Sequence, residues 1–320
     1  MQQVFKEFET EIKELREHIF YIKSISNEID ENSKLYSYIS SITKKKFNYK
    51  SLIISLYGIV ESFSEKFVIK YLENISILIS EYPNLKKIIQ NKNIYNSALL
   101  ALKVIEQKSI KYNHLKENEI IENLYSCINN DNNYILNYDS FTMFSGNLKH
   151  QKICDLFTQI GIDLNTEFTK KADFNLSNSE NQFKKLDELV EMRNEVAHGN
   201  INQLLNPSEI EEYVEFIEKY FTNLFEILEE DLNQEKLNYW IKNYSIEIED
   251  TSIFKGNILG FNNFKNLIVT NESEIIVEKG NKKFKIAKVI KIKNFDNNDI
   301  TIKLEINSTL RKNQKFHLKR

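Results

Sequence analysis

A change of hydrophobic period near Ile241 restricts the fold of this 320-residue chain more than any other feature. Before it, apolar residues recur every three or four positions, the spacing of one face of an α-helix. After it they alternate with polar residues, the spacing of one face of a β-strand. Phe5, Phe8, Ile12, Leu15, Ile19 and Ile22 mark one amphipathic helix reaching about Ile29. Leu52, Ile53, Leu56, Ile59, Val60, Phe63, Phe67 and Tyr71 form a wider stripe, suited to the centre of a bundle. Residues 84–128 predict one or two shorter helices and residues 129–133 a polar surface loop. Residues 140–161 predict another short helix, with Gly161 as its C-terminal cap. Residues 179–182 resemble a capped start for a helix carrying Phe183, Leu186, Leu189, Val190, Val196 and Ala197, ended by 198–200. Asn206 and Pro207 then serve as N-cap and first residue of a last long helix.

The alternating segments 245–249, 275–277, 284–292 and 300–306 read as strands, separated by turn-prone residues at 256–257, 278–281 and 294–298. Five or six short antiparallel strands fit a small barrel or curled sheet. The expected architecture is therefore mainly α: an antiparallel helical bundle over residues 1–240, followed by a small all-β domain over residues 241–320.

Composition excludes several classes. With two Pro, seven Gly and neither G-x-G-x-x-G nor G-x-x-x-x-G-K-[ST], the chain is not expected to be an α/β enzyme built on phosphate-binding loops. No apolar run approaches the ~18 residues that cross a bilayer. Residues 1–7 lack the basic-then-apolar layout of a signal peptide. Two cysteines, Cys127 and Cys154, cannot make a disulfide framework, which points to a reducing, cytoplasmic setting without membrane attachment. Forty Asn, with abundant Ile and Lys, read as the bias of an AT-rich genome, which weakens propensity arguments.

The net charge of −3 conceals a division. Residues 1–250 hold 28 Lys+Arg against 40 Asp+Glu, a balance of −12, whereas residues 251–320 hold 15 against 6, a balance of +9. The basic segment suits contact with a polyanion or with the acidic body of a second copy; solvated lysines on a small β domain are the plainer account. Lys282, Lys283, Lys285, Lys288, Lys291 and Lys293 are its densest cluster. Lys283, Lys285, Lys291 and Lys293 share one parity, so in a regular strand they lie on one face and form a candidate RNA-binding row. Phe284 and Phe295 serve either as core or as stacking platforms for bases.

Chemistry-bearing clusters are few. No His, Cys, Asp and Glu group has metal-ligand spacing, and no cofactor is expected. Neither cysteine has a neighbouring His that would suggest an activated nucleophile, so both read as structural thiols. What remains is Arg193-Asn194-Glu195-Val196-Ala197-His198-Gly199 at a helix end. At ~100° per residue, Arg193 and His198 lie ~140° apart on a regular helix. Only a loosened last turn or a two-fold partner brings such side chains together. The C-terminal end of a helix also favours positive charge, so both residues suit simple capping of carbonyls.

The stretch from Leu186 to Asn200 resembles the signature helix of the HEPN superfamily, in which Arg, usually followed by a polar residue, precedes His by four to six intervening residues. Its form, Arg193-Asn194 with small apolar residues and then His198-Gly199, looks closest to the bacterial RiboL-PSP and MAE-like branch. The segment Ser55 to Phe63, with Glu61 inside an apolar run, resembles the family's early helix, and the Pro207-initiated helix fits its chain order. The resemblance covers residues 1–235 and leaves the β-rich tail unassigned. It implies a homodimer through the motif helices, with two Arg/His pairs in one cleft, and a metal-independent endoribonuclease used as a toxin or antiviral-defence effector. His198 would be general acid/base, Arg193 the phosphate clamp and Asn194 an orienting amide. Glu61 would line the cleft or be a structurally paired acid. RNA is the implied substrate, with tRNA one candidate, and an antitoxin or defence protein the implied partner. The rival readings are a non-catalytic HEPN-like interaction module and a sensor that binds nucleic acid through residues 241–320.

Overall fold

The two widest apolar stripes become the longest helices of the N-terminal half. In the computed structural model, α1 spans Gln2–Glu28 and α3 Ile42–Leu78, with the short α2 (Lys34–Ile39) between them. Residues 1–106, 110–129, 134–174, 182–262, 267–279, 283–295, 299–311 and 313–319 are described. The loop expected over 129–133, the capped start at 179–181 and the turns at 280–281 and 296–298 fall largely or wholly outside them, as does Lys282. Further along come α4 (Lys87–Ile105), α5 (Glu117–Ile128), α6 (His150–Thr158), α7 (Leu164–Phe168), α8 (Lys184–His198) and α9 (Pro207–Tyr244). None of the described helices is long and apolar enough to cross a membrane.

Helix α3 is central because its stripe is buried all round: Leu52, Ile53, Leu56, Val60, Phe63, Phe67 and Tyr71 are inaccessible to solvent or nearly so. An aromatic seam joins it to its neighbours. Phe8 of α1 meets Phe63 edge-on at 5.4 Å between ring centroids and Phe221 of α9 at 5.1 Å. Phe67 stacks on Phe221 at 6.1 Å, and Phe5 on Phe225 at 4.3 Å. Such pairs add to the burial of large apolar rings. Helix α9 starts as its sequence suggests: the Asn206 side chain accepts from the backbone N–H groups of Ser208 and Glu209, and the Glu209 carboxylate accepts from that of Asn206. The chain divides into compact units Met1–Glu229 and Glu230–Arg320, so the last turns of α9 belong to the second unit.

In that second unit all strand pairs are antiparallel and form one curled sheet in the order β1-β7-β4-β5-β6-β3-β2. The strands are β1 (Ser245–Ile248), β2 (Ser252–Phe254), β3 (Ile258–Asn262), β4 (Glu274–Lys279), β5 (Lys283–Asn294), β6 (Asp299–Glu305) and β7 (Lys315–Lys319). The concave face is lined by Leu259, Phe261, Ile275, Val277, Ala287, Val289, Ile302, Leu304, Phe316 and Leu318. On the opposite face Leu237, Trp240 and Ile241 from the end of α9 cover Ile276 of β4 and Phe284 of β5. Phe284 is therefore a core residue.

One histidine departs from the sequence reading. His150 and Cys154 stand one turn apart on α6, with Nε2 3.4 Å from Sγ, so the expectation that neither cysteine has a neighbouring histidine fails. The pair is nevertheless structural. His150 is buried, stacked on Phe183 at 3.5 Å, and its ring nitrogens face Tyr220 Oη and Asn165 Oδ1, both at 3.1 Å. Burial pushes the Cys154 thiol up to about 12 and that of Cys127 to about 11, which withholds the reactive thiolate at neutral pH.

Burial also lowers the His150 pKa below its ordinary 6.5, although Asn165 and then Asp187 oppose the shift. A histidine held neutral in the fold contributes its full share of stability above the unfolded-chain value of ~6.5. That share is lost as pH falls through the window between 6.5 and the lower folded value, because there the unfolded chain binds the extra proton. The urea midpoint of the wild type is expected to fall between about pH 7.5 and about pH 5, and His150→Gln to lose part of that fall. Identical pH dependence in the two proteins would contradict this.

Candidate active site

Helix α8 presents Leu186, Leu189 and Val190 to the core. Arg193 follows one turn later on that same side, so the residue is half-buried. There it lies 5.2 Å from the centroid of the Tyr57 ring of α3, a cation–π contact. The buried Tyr57 hydroxyl accepts the Leu148 backbone N–H at 3.1 Å, which fixes the ring beneath Arg193. The Tyr57 pKa is raised above the usual phenol range chiefly by burial; Leu148 and Arg193 oppose the shift and Glu61 adds to it.

Asn194 sits beside Arg193. Its side-chain oxygen accepts from Asn147 Nδ2 at 2.8 Å and from Arg193 Nη1 at 3.3 Å. The structure thus brings Arg193, Asn194, Tyr57 and Asn147 together. No ion pair links Arg193 to a carboxylate among the described residues. An unneutralised guanidinium on a half-buried residue with fixed flanks is suited to binding an anion such as a phosphate.

His198 stands apart. It is exposed and makes no hydrogen bond or ion pair with any described residue. The loosened last turn that would carry it toward Arg193 within one chain does not occur, because α8 stays regular to His198 and closes at Gly199 (φ 78°). The Gly199 N–H reaches the Val196 carbonyl at 3.3 Å, and the Asn200 N–H reaches that of Glu195 at 3.0 Å. This is the paired closure that glycine permits in the left-handed region. The Glu195 carboxylate then accepts from the backbone and side chain of Asn202, at 3.2 and 2.7 Å, and ties down the following loop.

Glu61, one turn beyond Tyr57 on α3, is half-buried and has no ion-pair partner among the described residues, so the paired-acid account of it fails. The next turn supplies the paired acid instead. Glu65 meets Lys111 Nζ at 2.6 Å, and burial raises its pKa despite that partner. Tyr57 and Asn147 were not singled out from sequence. Tyr57 had a signal, since it shares a helix face with Glu61, whereas nothing in the sequence marks Asn147.

The lysine row needs correction. Residues directly opposite across a sheet share a face. Lys285 pairs with Val277 of the concave core, and Lys283, two residues earlier, shares that side. A β-bulge then intervenes between Val289 and Lys291. Beyond it Ile292 takes the concave side, whereas Lys291 and Lys293 pair with Lys303 and Thr301 on the convex face. The one extra residue reverses the alternation, so Lys283 and Lys285 lie on one face and Lys291 and Lys293 on the other.

Among the described residues, no group of three or more His, Cys, Asp and Glu side chains is arranged to hold a metal ion. A family model described as RiboL-PSP-HEPN matches residues 7–230. No curated protein and no solved structure gives a match.

Proposed function

Since the chain belongs to the RiboL-PSP-HEPN family, we propose that it is an endoribonuclease whose site is completed by a second copy, Arg193 of one α8 facing His198 of the other. RNA brings its own nucleophile, the 2′-hydroxyl. His198 takes the proton from that hydroxyl as it attacks the adjacent phosphorus, and returns a proton to the departing 5′-oxygen. Arg193 holds the non-bridging oxygens while negative charge develops on them. Asn194 and Tyr57 act as positioning residues that keep the guanidinium in place. The bond to the 5′-oxygen breaks, leaving a 2′,3′-cyclic phosphate on one fragment and a 5′-hydroxyl on the other.

The observation that supports this reading is the pairing of opposites on one helix. A fixed, half-buried cation lacks a carboxylate, and an exposed imidazole lacks a partner; regular helix geometry keeps them on different faces of the same chain. Two copies related by a two-fold axis put the missing half in reach. The activity suits a cytoplasmic toxin or antiviral-defence effector, restrained or triggered by a partner protein.

Incubation of the purified chain with total bacterial RNA in EDTA, followed by mapping of fragment ends, tests the reaction type. Discrete cuts ending in cyclic phosphate and 5′-hydroxyl are expected. Cuts that require a divalent cation, or that leave 5′-phosphates, would refute the chemistry. No cutting would favour a non-catalytic dimeric module on the same scaffold.

A further inference from the structure

The convex face of the curled sheet is covered over only part of its width. The end of α9 packs on Ile276 of β4 and Phe284 of β5, whereas Lys291, Lys293 and Lys303, farther along the same face on β5 and β6, are exposed. Two large aromatic rings stand on that uncovered part, Phe254 of β2 and Phe295 just after β5, 51% and 43% exposed. Exposed phenylalanine is costly on a sheet that has a core available, and here both rings line one groove of about 410 Å³.

Gly260 of β3 lies beside the Phe254 ring, and a Cβ there would stand 2.9 Å from Phe254 Cε2, so the absent side chain leaves the ring room to pack on the sheet. Cations flank it. After the bulge, Lys291 and Lys293 project onto this face opposite Lys303 and Thr301. Lys291, Lys293 and Lys303 are exposed and have no carboxylate partner among the described residues. Lys293 Nζ sits 4.7 Å from the centroid of the Phe295 ring. Two carboxylates line the groove itself, Asp250 and Asp299, the latter accepting a hydrogen bond from Asn262 at 2.9 Å; they suit the amino groups of bases, whereas the phosphates would follow the lysines beside the groove.

Aromatic faces beside unneutralised lysines are the requirements of unpaired nucleic acid, whose bases stack on rings while its phosphates meet cations. A duplex hides its base faces and has no use for the two rings. We propose that this groove binds a single-stranded RNA segment, with bases stacked on Phe254 and Phe295 and phosphates held by Lys291, Lys293 and Lys303. The inference does not depend on cleavage by the helical unit. It offers a reason for the basic balance of residues 251–320 in a chain that is otherwise acidic.

The test uses the full chain and a fluorescein-labelled, unpaired 2′-O-methyl oligonucleotide, which cannot be cut through its blocked 2′-oxygen. A failure of binding is thereby separate from a failure of cleavage. Phe254→Ala and Phe295→Ala are each expected to weaken binding about tenfold, while Phe→Trp at either position retains it. Replacing Lys291, Lys293 and Lys303 together by Gln should reduce the slope of log affinity against log salt by about 2, at ~0.7 per phosphate contact. Lys283→Gln with Lys285→Gln, on the other face, should leave affinity unchanged. The duplex of the same sequence should bind at least about tenfold more weakly. Unchanged affinity in both Phe→Ala variants would overturn the proposal, as would equal affinity for duplex. Failure of the oligonucleotide to bind would also overturn it and turn attention to a protein occupant.

Discussion

Replacing His198 by alanine is expected to lower RNA cleavage by a factor of about 10² to 10⁴, the range that a positioned acid–base group contributes. Folding should be untouched. The imidazole is exposed and has no hydrogen bond to lose, and the glycine closure after it uses backbone groups only. Arg193→Ala should cost about 10² to 10³ through lost stabilisation of the phosphate charge. Arg193→Lys should not rescue it, since a point-like ammonium replaces a planar fork over the Tyr57 ring. Circular dichroism and urea unfolding separate the two roles. Loss of cleavage by His198→Ala with an unchanged midpoint supports a catalytic histidine. Full retention of cleavage would remove it from the site.

The largest effect on stability is expected at Phe8. This ring is fully buried and holds the seam of α1, α3 and α9 by meeting Phe63 and Phe221 at once. Phe8→Ala removes the ring from a site whose three walls belong to different helices and cannot all collapse into the space. A loss of about 3–5 kcal/mol follows, measured as a lowered urea midpoint. Phe20→Ala on the same helix, 70% exposed, is the control and should change stability by less than about 0.5 kcal/mol. Equal effects at the two positions would mean that the seam does not hold the helices.

The helical period made α1, α3 and α9 legible because their apolar stripes are long enough to average out the asparagine bias. The Asn206 cap and the Gly199 closure were legible because local hydrogen bonds alone decide them. The strands β2, β3 and β7 were harder: they are three to five residues long, too short for even the regular alternation of Lys315–Lys319 in β7 to stand out. The bulge at Val289/Lys291 left no mark, since Ile290 reads like any other strand residue; only the pairing with β6 shows that the alternation reverses there. The motif Arg193, Asn194 and His198 was readable as a candidate. Its support was not, because Tyr57 and Asn147 come from α3 and from the segment before α6, brought together by packing that spans 91 residues between Tyr57 and Leu148.

That packing places Arg193 and His198 on different faces of one α8, and the proposed site draws its complete set from two chains. The direct measurement is cleavage by a co-refolded mixture of Arg193→Ala and His198→Ala chains. Each variant alone is expected to cleave at least about a hundredfold more slowly than the wild type, but a mixed dimer would hold one intact Arg193 facing one intact His198. The mixture is expected to regain cleavage with cyclic-phosphate ends. A mixture as inactive as its components, with mixed dimers demonstrably formed, would contradict a site shared between two α8 helices.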